Sequence, residues 1–184
     1  MKLRLHNIIQ QTRVNGPGNR FGIWVQGCNL NCSGCFNPQT HSFDDGYEIY
    51  VDELFKQIIH YNNIEGISIS GGEPLLQGET LLYLLNRITK ETDLTILIYT
   101  GYTYDEIIAD RIMNKLLSHI DIIIAGPYKE SLKINNSVLS SSNQEVYFLT
   151  DRYTQNDLDI SNTEVIIGNN GAITLTGLLN ITDF

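Results

Sequence analysis

Three cysteines, Cys28, Cys32 and Cys35, fall within eight consecutive residues of a 184-residue chain that has no other cysteine. The loop reads Gly27-Cys28-Asn29-Leu30-Asn31-Cys32-Ser33-Gly34-Cys35-Phe36-Asn37. A disulfide framework needs an even number of thiols spread along the chain, so that each bond closes a long loop. An odd set gathered in one loop suits the ligands of a single metal centre. Thiolates hold zinc and iron–sulfur clusters alike. Tetrahedral zinc needs a fourth ligand, which His41 could supply. A cubane cluster on three thiolates leaves one iron open, and an open iron can bind a substrate or cofactor. Either centre satisfies the spacing.

The second chemically capable stretch is Ser68-Ile69-Ser70-Gly71-Gly72-Glu73-Pro74-Leu75, about 36 residues after the last cysteine. Its glycines permit a tight turn and a close approach of backbone to a ligand. Glu73 offers an acceptor for a cationic amine. The same residues would also make an ordinary strand-to-helix turn. Other candidates carry less. His6, His41, His60 and His119 share no spacing and read as surface or internally satisfied residues. Asp44-Asp45 and Glu48 read as a solvated loop and helix lead-in, and Trp24 as core. Of the ten tyrosines only Tyr99 and Tyr102 flank a strand end at the site, and Asn143-Gln144 suits a turn or a contact equally.

Elements must bring these groups together. Brief apolar runs predict strands at 21–26, 66–70, 94–99, 121–125, 145–150 and 164–167, with a short one at 172–175. Continuous rather than alternating runs suit strands covered on both faces, as in parallel sheets. Between them Val51, Leu54, Phe55, Ile58 and Ile59, then Leu81, Leu84, Leu85 and Ile88, repeat at helical spacing. A third helix, 105–117, is expected to break near Asp110. Alternating strands and helices predict an α/β fold, an open partial (βα)-barrel of about six mainly parallel strands forming one domain over 1–184. In such sheets chemistry sits at the carboxyl ends of strands. Cys28, Gly71-Gly72-Glu73, Thr100-Gly101-Tyr102 and Gly126-Pro127-Tyr128 each follow an expected strand, so four motifs should meet at one edge.

Composition narrows the function classes. Twelve basic against 21 acidic residues give a net charge of −9, which argues against binding nucleic acid through its phosphates. No apolar run approaches the ~18–20 residues that span a bilayer, and the first residues lead into no signal-peptide core. A cytoplasmic protein without a membrane partner is expected.

The CxxxCxxC loop after the first expected strand, with Gly-Gly-Glu-Pro after the second, resembles the radical S-adenosylmethionine superfamily. The resemblance implies one [4Fe-4S] cluster on Cys28, Cys32 and Cys35, with the open iron chelated by S-adenosylmethionine. Reduction then cleaves the sulfonium to methionine and a 5′-deoxyadenosyl radical. It also implies that Ser70, Gly71, Gly72 and Glu73 hold the methionine end of the cofactor. Gly34 and Phe36 would lie near its adenine, and Tyr99 and Thr100 near its ribose. Many members carry an aromatic residue just before the third cysteine; here that position is Gly34, and Phe36 follows instead.

Further segments are similar to the activating proteins of anaerobic ribonucleotide reductase. They are Asn15-Gly16-Pro17-Gly18, Tyr99-Thr100-Gly101-Tyr102, Gly126-Pro127-Tyr128 and Ser141-Ser142-Asn143-Gln144. Two positions depart from that pattern: Ala125 stands where aspartate is usual, and Leu139-Ser140 replaces an arginine-glycine pair. Little sequence is left for a lid, so a loop of a macromolecular substrate should plug the opening and keep water from the radical. The resemblance implies a glycyl radical enzyme as partner and a flavodoxin- or ferredoxin-type reductant. Radical modification of a peptide or small metabolite is the alternative. A zinc-stabilised interaction module is the remote one.

Overall fold

The computed structural model describes residues 1–134, 138–161, 163–168 and 171–177. Its strands are β1 (Lys2–Thr12), β2 (Arg20–Val25), β3 (Tyr47–Tyr50), β4 (Gly66–Gly71), β5 (Thr95–Thr100), β6 (Ile122–Ala125), β7 (Glu145–Phe148), β8 (Thr163–Ile167) and β9 (Ile173–Gly177). The helices are α1 (Val51–His60), α2 (Gly78–Glu91), α3 (Tyr104–Ala109) and α4 (Arg111–Leu117). Seven strands form one sheet in the order β3-β1-β2-β4-β5-β6-β7, with β3 and β7 as its edges. The four central strands, β2, β4, β5 and β6, are mutually parallel, while β1, β3 and β7 add antiparallel flanks. An open α/β sheet with a parallel centre is thus formed. Strands β8 and β9 stand apart as an antiparallel pair, although the sequence pattern had counted them with the rest.

The alternation of strand side chains divides the core. Phe21, Ile23 and Val25 of β2, with Ile96 and Ile98 of β5, join the cluster that includes the helices. Val51, Leu54, Phe55 and Ile58 of α1 and Leu81, Leu84, Leu85 and Ile88 of α2 are all buried there. Each such side chain contributes roughly 1.5–3 kcal/mol on burial. Ile59 is 46% exposed and lies off that stripe. The expected helix break is real: Asp110 ends α3, and its carboxylate accepts from the Ile112 and Met113 N–H groups to cap α4.

The opposite face carries Leu97, Ile122, Ile124 and Tyr99. Trp24 points to that side as well. It is half-buried and lines a cavity, where a core residue was expected. Strand β1 has no counterpart in the sequence expectation, because its alternation slips. Register shifts between Leu5 and Asn7 and between Ile9 and Thr12 break the period of two. Glu48 belongs to edge strand β3 and pairs with Lys2 and Arg4 of β1, where a helix lead-in was expected.

Candidate functional site

A cavity of about 800 Å³ opens at the carboxyl ends of β2, β4, β5 and β6. Cys28, Cys32, Cys35, Phe36, Ser70, Gly71, Gly72, Glu73, Tyr99 and Thr100 all line it, as do Gly101, Gly126 and Tyr128. The four motifs therefore converge as their places after the strands require. Gly34 is the exception among the expected residues. It sits with φ +69° behind the lining, where a Cβ would come 2.4 Å from the Glu130 carboxyl carbon.

Backbone bonds pin both ends of the cysteine loop. The Gly27 N–H donates to Thr40 O at 2.8 Å, and the Cys28 N–H to His41 O at 3.0 Å. The β4 turn is laid directly against its root: the Gly72 N–H donates to Val25 O and the Glu73 N–H to Gly27 O, both at 2.9 Å. Only glycine permits this approach. A Cβ on Gly72 would lie 2.4 Å from Gly27 O, and Gly71 at φ +104° would bring one 2.6 Å from the Val25 backbone. Leu30 of the loop packs over Gly101 in turn.

Glu73 is 1% exposed and closely held. Its Oε1 accepts from the Leu75 N–H at 2.9 Å and the Thr100 hydroxyl at 2.8 Å, while Oε2 accepts from the Gly101 N–H at 2.8 Å. Burial pushes its pKa up to about 7, and the three donors oppose that rise. Burial likewise raises the Cys28 and Cys35 thiols, with neighbouring thiols adding to the effect. A metal centre must therefore displace protons to bind. All three cysteines are free and half-buried. His41 lines the same cavity as the three thiols. Three thiols on the wall of a cavity of about 800 Å³, with a buried carboxylate beyond them, leave room for a cluster and an added chelating ligand.

Phe36 meets Tyr128 edge-on across the mouth, with ring centroids 5.4 Å apart. Asn143 and Gln144 hold the Tyr128 loop by donating to Pro127 O at 2.7 Å and Gly126 O at 3.0 Å. Tyr102 does not line the cavity. His6 lines the cavity with its Nδ1 3.0 Å from Gln26 Oε1, so two of the four histidines belong to the site rather than the outer surface. Sequence reasoning missed Asn15 and the strand β9 as cavity walls. The Asn15-Gly16-Pro17-Gly18 turn was a signal for the first.

Residues 14–147 match the protein family described as the 4Fe-4S single cluster domain. The chain is 36% identical over 125 residues to the anaerobic ribonucleoside-triphosphate reductase-activating protein of Haemophilus influenzae, covering 62% of this chain and 77% of that one. It is 32% identical over 155 residues to the protein of the same description from Salmonella typhi, covering 80% and 99%. To the pyruvate formate-lyase-activating enzyme of Clostridium pasteurianum it is 32% identical over 126 residues, covering 66% of this chain and 50% of that one. The chain belongs to the 4Fe-4S single-cluster family of radical S-adenosylmethionine activating enzymes. Its cofactors are accordingly a [4Fe-4S] cluster and S-adenosylmethionine.

Proposed function

We propose that this chain activates a glycyl radical enzyme, an anaerobic ribonucleoside-triphosphate reductase in the first instance. The observation that carries the reading is the convergence of the thiol loop and the Gly71-Gly72-Glu73 turn on one cavity. Cys28, Cys32 and Cys35 would hold the cluster, and Ser70, Gly71, Gly72 and Glu73 the amino group of the cofactor's methionine end. Tyr99 and Thr100, which line the same cavity, would meet its ribose, and Phe36 with Tyr128 its adenine. Gly34 acts through loop shape, because it is not at the wall. When bound, the cluster and S-adenosylmethionine would supply one-electron cleavage of the sulfonium and, through it, abstraction of a hydrogen atom from the Cα of a partner's glycine. The chain's own residues bind, orient and exclude water; the hard chemistry is the cofactor's. We assign the electron supply to a flavodoxin- or ferredoxin-type protein and the setting to the cytoplasm. No helix among the described residues is long and apolar enough to cross a membrane.

A specific observation favours a second reading, modification of a peptide or small metabolite. Ala125, which is buried, stands where the activating proteins usually carry aspartate, and Leu139-Ser140, of which Leu139 is half-buried, replaces their arginine-glycine pair, so two charges are missing. Anaerobically purified protein should be brown and, once reduced, should release 5′-deoxyadenosine from S-adenosylmethionine. Mixed with the reductase it should give the electron paramagnetic resonance doublet of a glycyl radical. Turnover on a small substrate without that doublet favours the second reading. A colourless protein with one stoichiometric zinc defeats both.

A further inference from the structure

The β8–β9 hairpin lies outside the seven-stranded sheet, yet it walls the cavity. Thr174, Leu175, Thr176 and Gly177 of β9 all line it. Successive strand residues point to opposite faces, so four consecutive lining residues mean that β9 presents an edge to the cavity. Its other edge is taken by β8 in continuous register, from Thr163 opposite Gly177 to Ile167 opposite Ile173. Among the described residues no third strand joins this pair. Polar contacts fix the hairpin to the body: Asn15 Nδ2 donates to Thr176 Oγ1 at 2.9 Å, and the Arg13 N–H donates to Glu164 Oε2 at 3.1 Å.

Glu164 and Thr176 are cross-strand partners on the inward face. The outward face is built by the neighbouring pairs Val165–Leu175 and Ile167–Ile173. These four residues are 49%, 45%, 71% and 67% exposed. An aliphatic patch so continuous on a small hairpin marks a surface to be covered. The patch is continuous with the site, because Leu175 belongs to both, so what covers it also reaches the cavity. A free strand edge recognises extended backbone, and an aliphatic face recognises aliphatic side chains.

We propose that the edge of β9 and the outward face of the hairpin dock the glycine-bearing segment of the partner enzyme. That segment lies extended along β9, its aliphatic side chains cover Val165, Ile167, Ile173 and Leu175, and its glycine reaches past Leu175 toward the thiol loop. The inference rests on the activase reading and adds to it the surface and the chemistry of recognition.

The test uses the cluster-loaded full chain and the anaerobic ribonucleoside-triphosphate reductase of the same source. Ile167→Thr/Ile173→Thr keeps β-branching in both strands and removes the apolar face outside the cavity. Reductase binding, measured without reductant, should weaken at least tenfold, and the glycyl doublet at sub-saturating reductase should fall with it. Release of 5′-deoxyadenosine without partner should be unchanged. In the unaltered chain, amide hydrogen exchange over 163–177 should slow when the reductase is added, which tests the surface even if the double variant misfolds. Unchanged affinity in a folded variant, unchanged exchange over 163–177, or no binding of the reductase overturns the proposal. So does a self-association of this chain that the double variant abolishes, because a second copy would then be the occupant. Binding that protects 163–177 without any glycyl doublet upholds the docking surface and sinks the activase reading alone.

Discussion

Glu73 combines two properties that usually oppose each other: it is buried and it is kept as an acceptor. Water is nearly absent around it, which favours the neutral acid, while Leu75, Gly101 and Thr100 each aim a donor at it, which favours the carboxylate. The balance leaves the group titrating near 7 before any ligand arrives. An ionised carboxylate accepts hydrogen bonds from an amino group, whereas the acid competes as a donor. The folded-state pKa is raised, so acceptor capacity is gained as pH rises. The KM for S-adenosylmethionine should therefore fall about tenfold between about pH 6 and about pH 8, following the ionised fraction of a group near 7. Steady-state cleavage assays across that range check this, and Glu73→Gln should flatten the profile and raise KM throughout. Thr100 supplies the one side-chain donor, so Thr100→Val should move the midpoint upward and Thr100→Ser should restore it. Glu73 was legible as a ligand candidate from its place in Gly-Gly-Glu-Pro. The role of Thr100 toward it was not, because residues 27 apart in sequence meet only through β4 and β5 lying side by side.

Among the elements, β2, β4 and β5 are tied at their amino ends by one residue. Arg20 is fully buried at the start of β2 and donates from Nε to Ser68 Oγ at 2.7 Å, from Nη1 to Pro17 O and Thr95 Oγ1 at 3.0 Å, and from Nη2 to Ile67 O at 2.6 Å. Neutral oxygens of two neighbouring strands and the preceding turn thus satisfy a buried charge. A planar fork can reach all of them at once; an ammonium cannot. Arg20→Lys should cost about 2–4 kcal/mol, because it strands several buried acceptors. Urea unfolding should show the loss as a lower midpoint, while cofactor cleavage per folded molecule stays unchanged, since Arg20 lies at the strand ends opposite the thiols. The glycines at the other end act at the same scale. Gly71 and Gly72 let β4 turn against the backbone of β2, and that contact places Glu73 beside the cysteine loop.

The whole molecule separates what folds from what reacts. No residue between Gln26 and Tyr47 contributes an apolar side chain to the buried core, which is built from the sheet and helices instead. Chelating the cluster should therefore bleach the visible spectrum while the far-ultraviolet circular dichroism and cooperative thermal unfolding persist. A zinc-stabilised module would unfold under the same treatment. From the sequence alone came the metal-binding loop, the Gly-Gly-Glu-Pro turn, the helix break at Asp110 and the order of strands and helices. All of these are local: spacing in a loop, a period along a helix, a cap two or three residues from its targets. The pairing of β1 and β3, the turning of Trp24 toward the cavity and the detachment of β8 and β9 to wall it belong to the tertiary structure. Bulges in β1 hide its period, and a strand's pattern says that it has two faces without saying what lies beyond each. The three clustered cysteines together with the Gly-Gly-Glu-Pro turn pointed to the chemistry this chain performs. Only the folded chain decided what stands around that chemistry, because those neighbours are brought together across the sheet from residues distant in sequence.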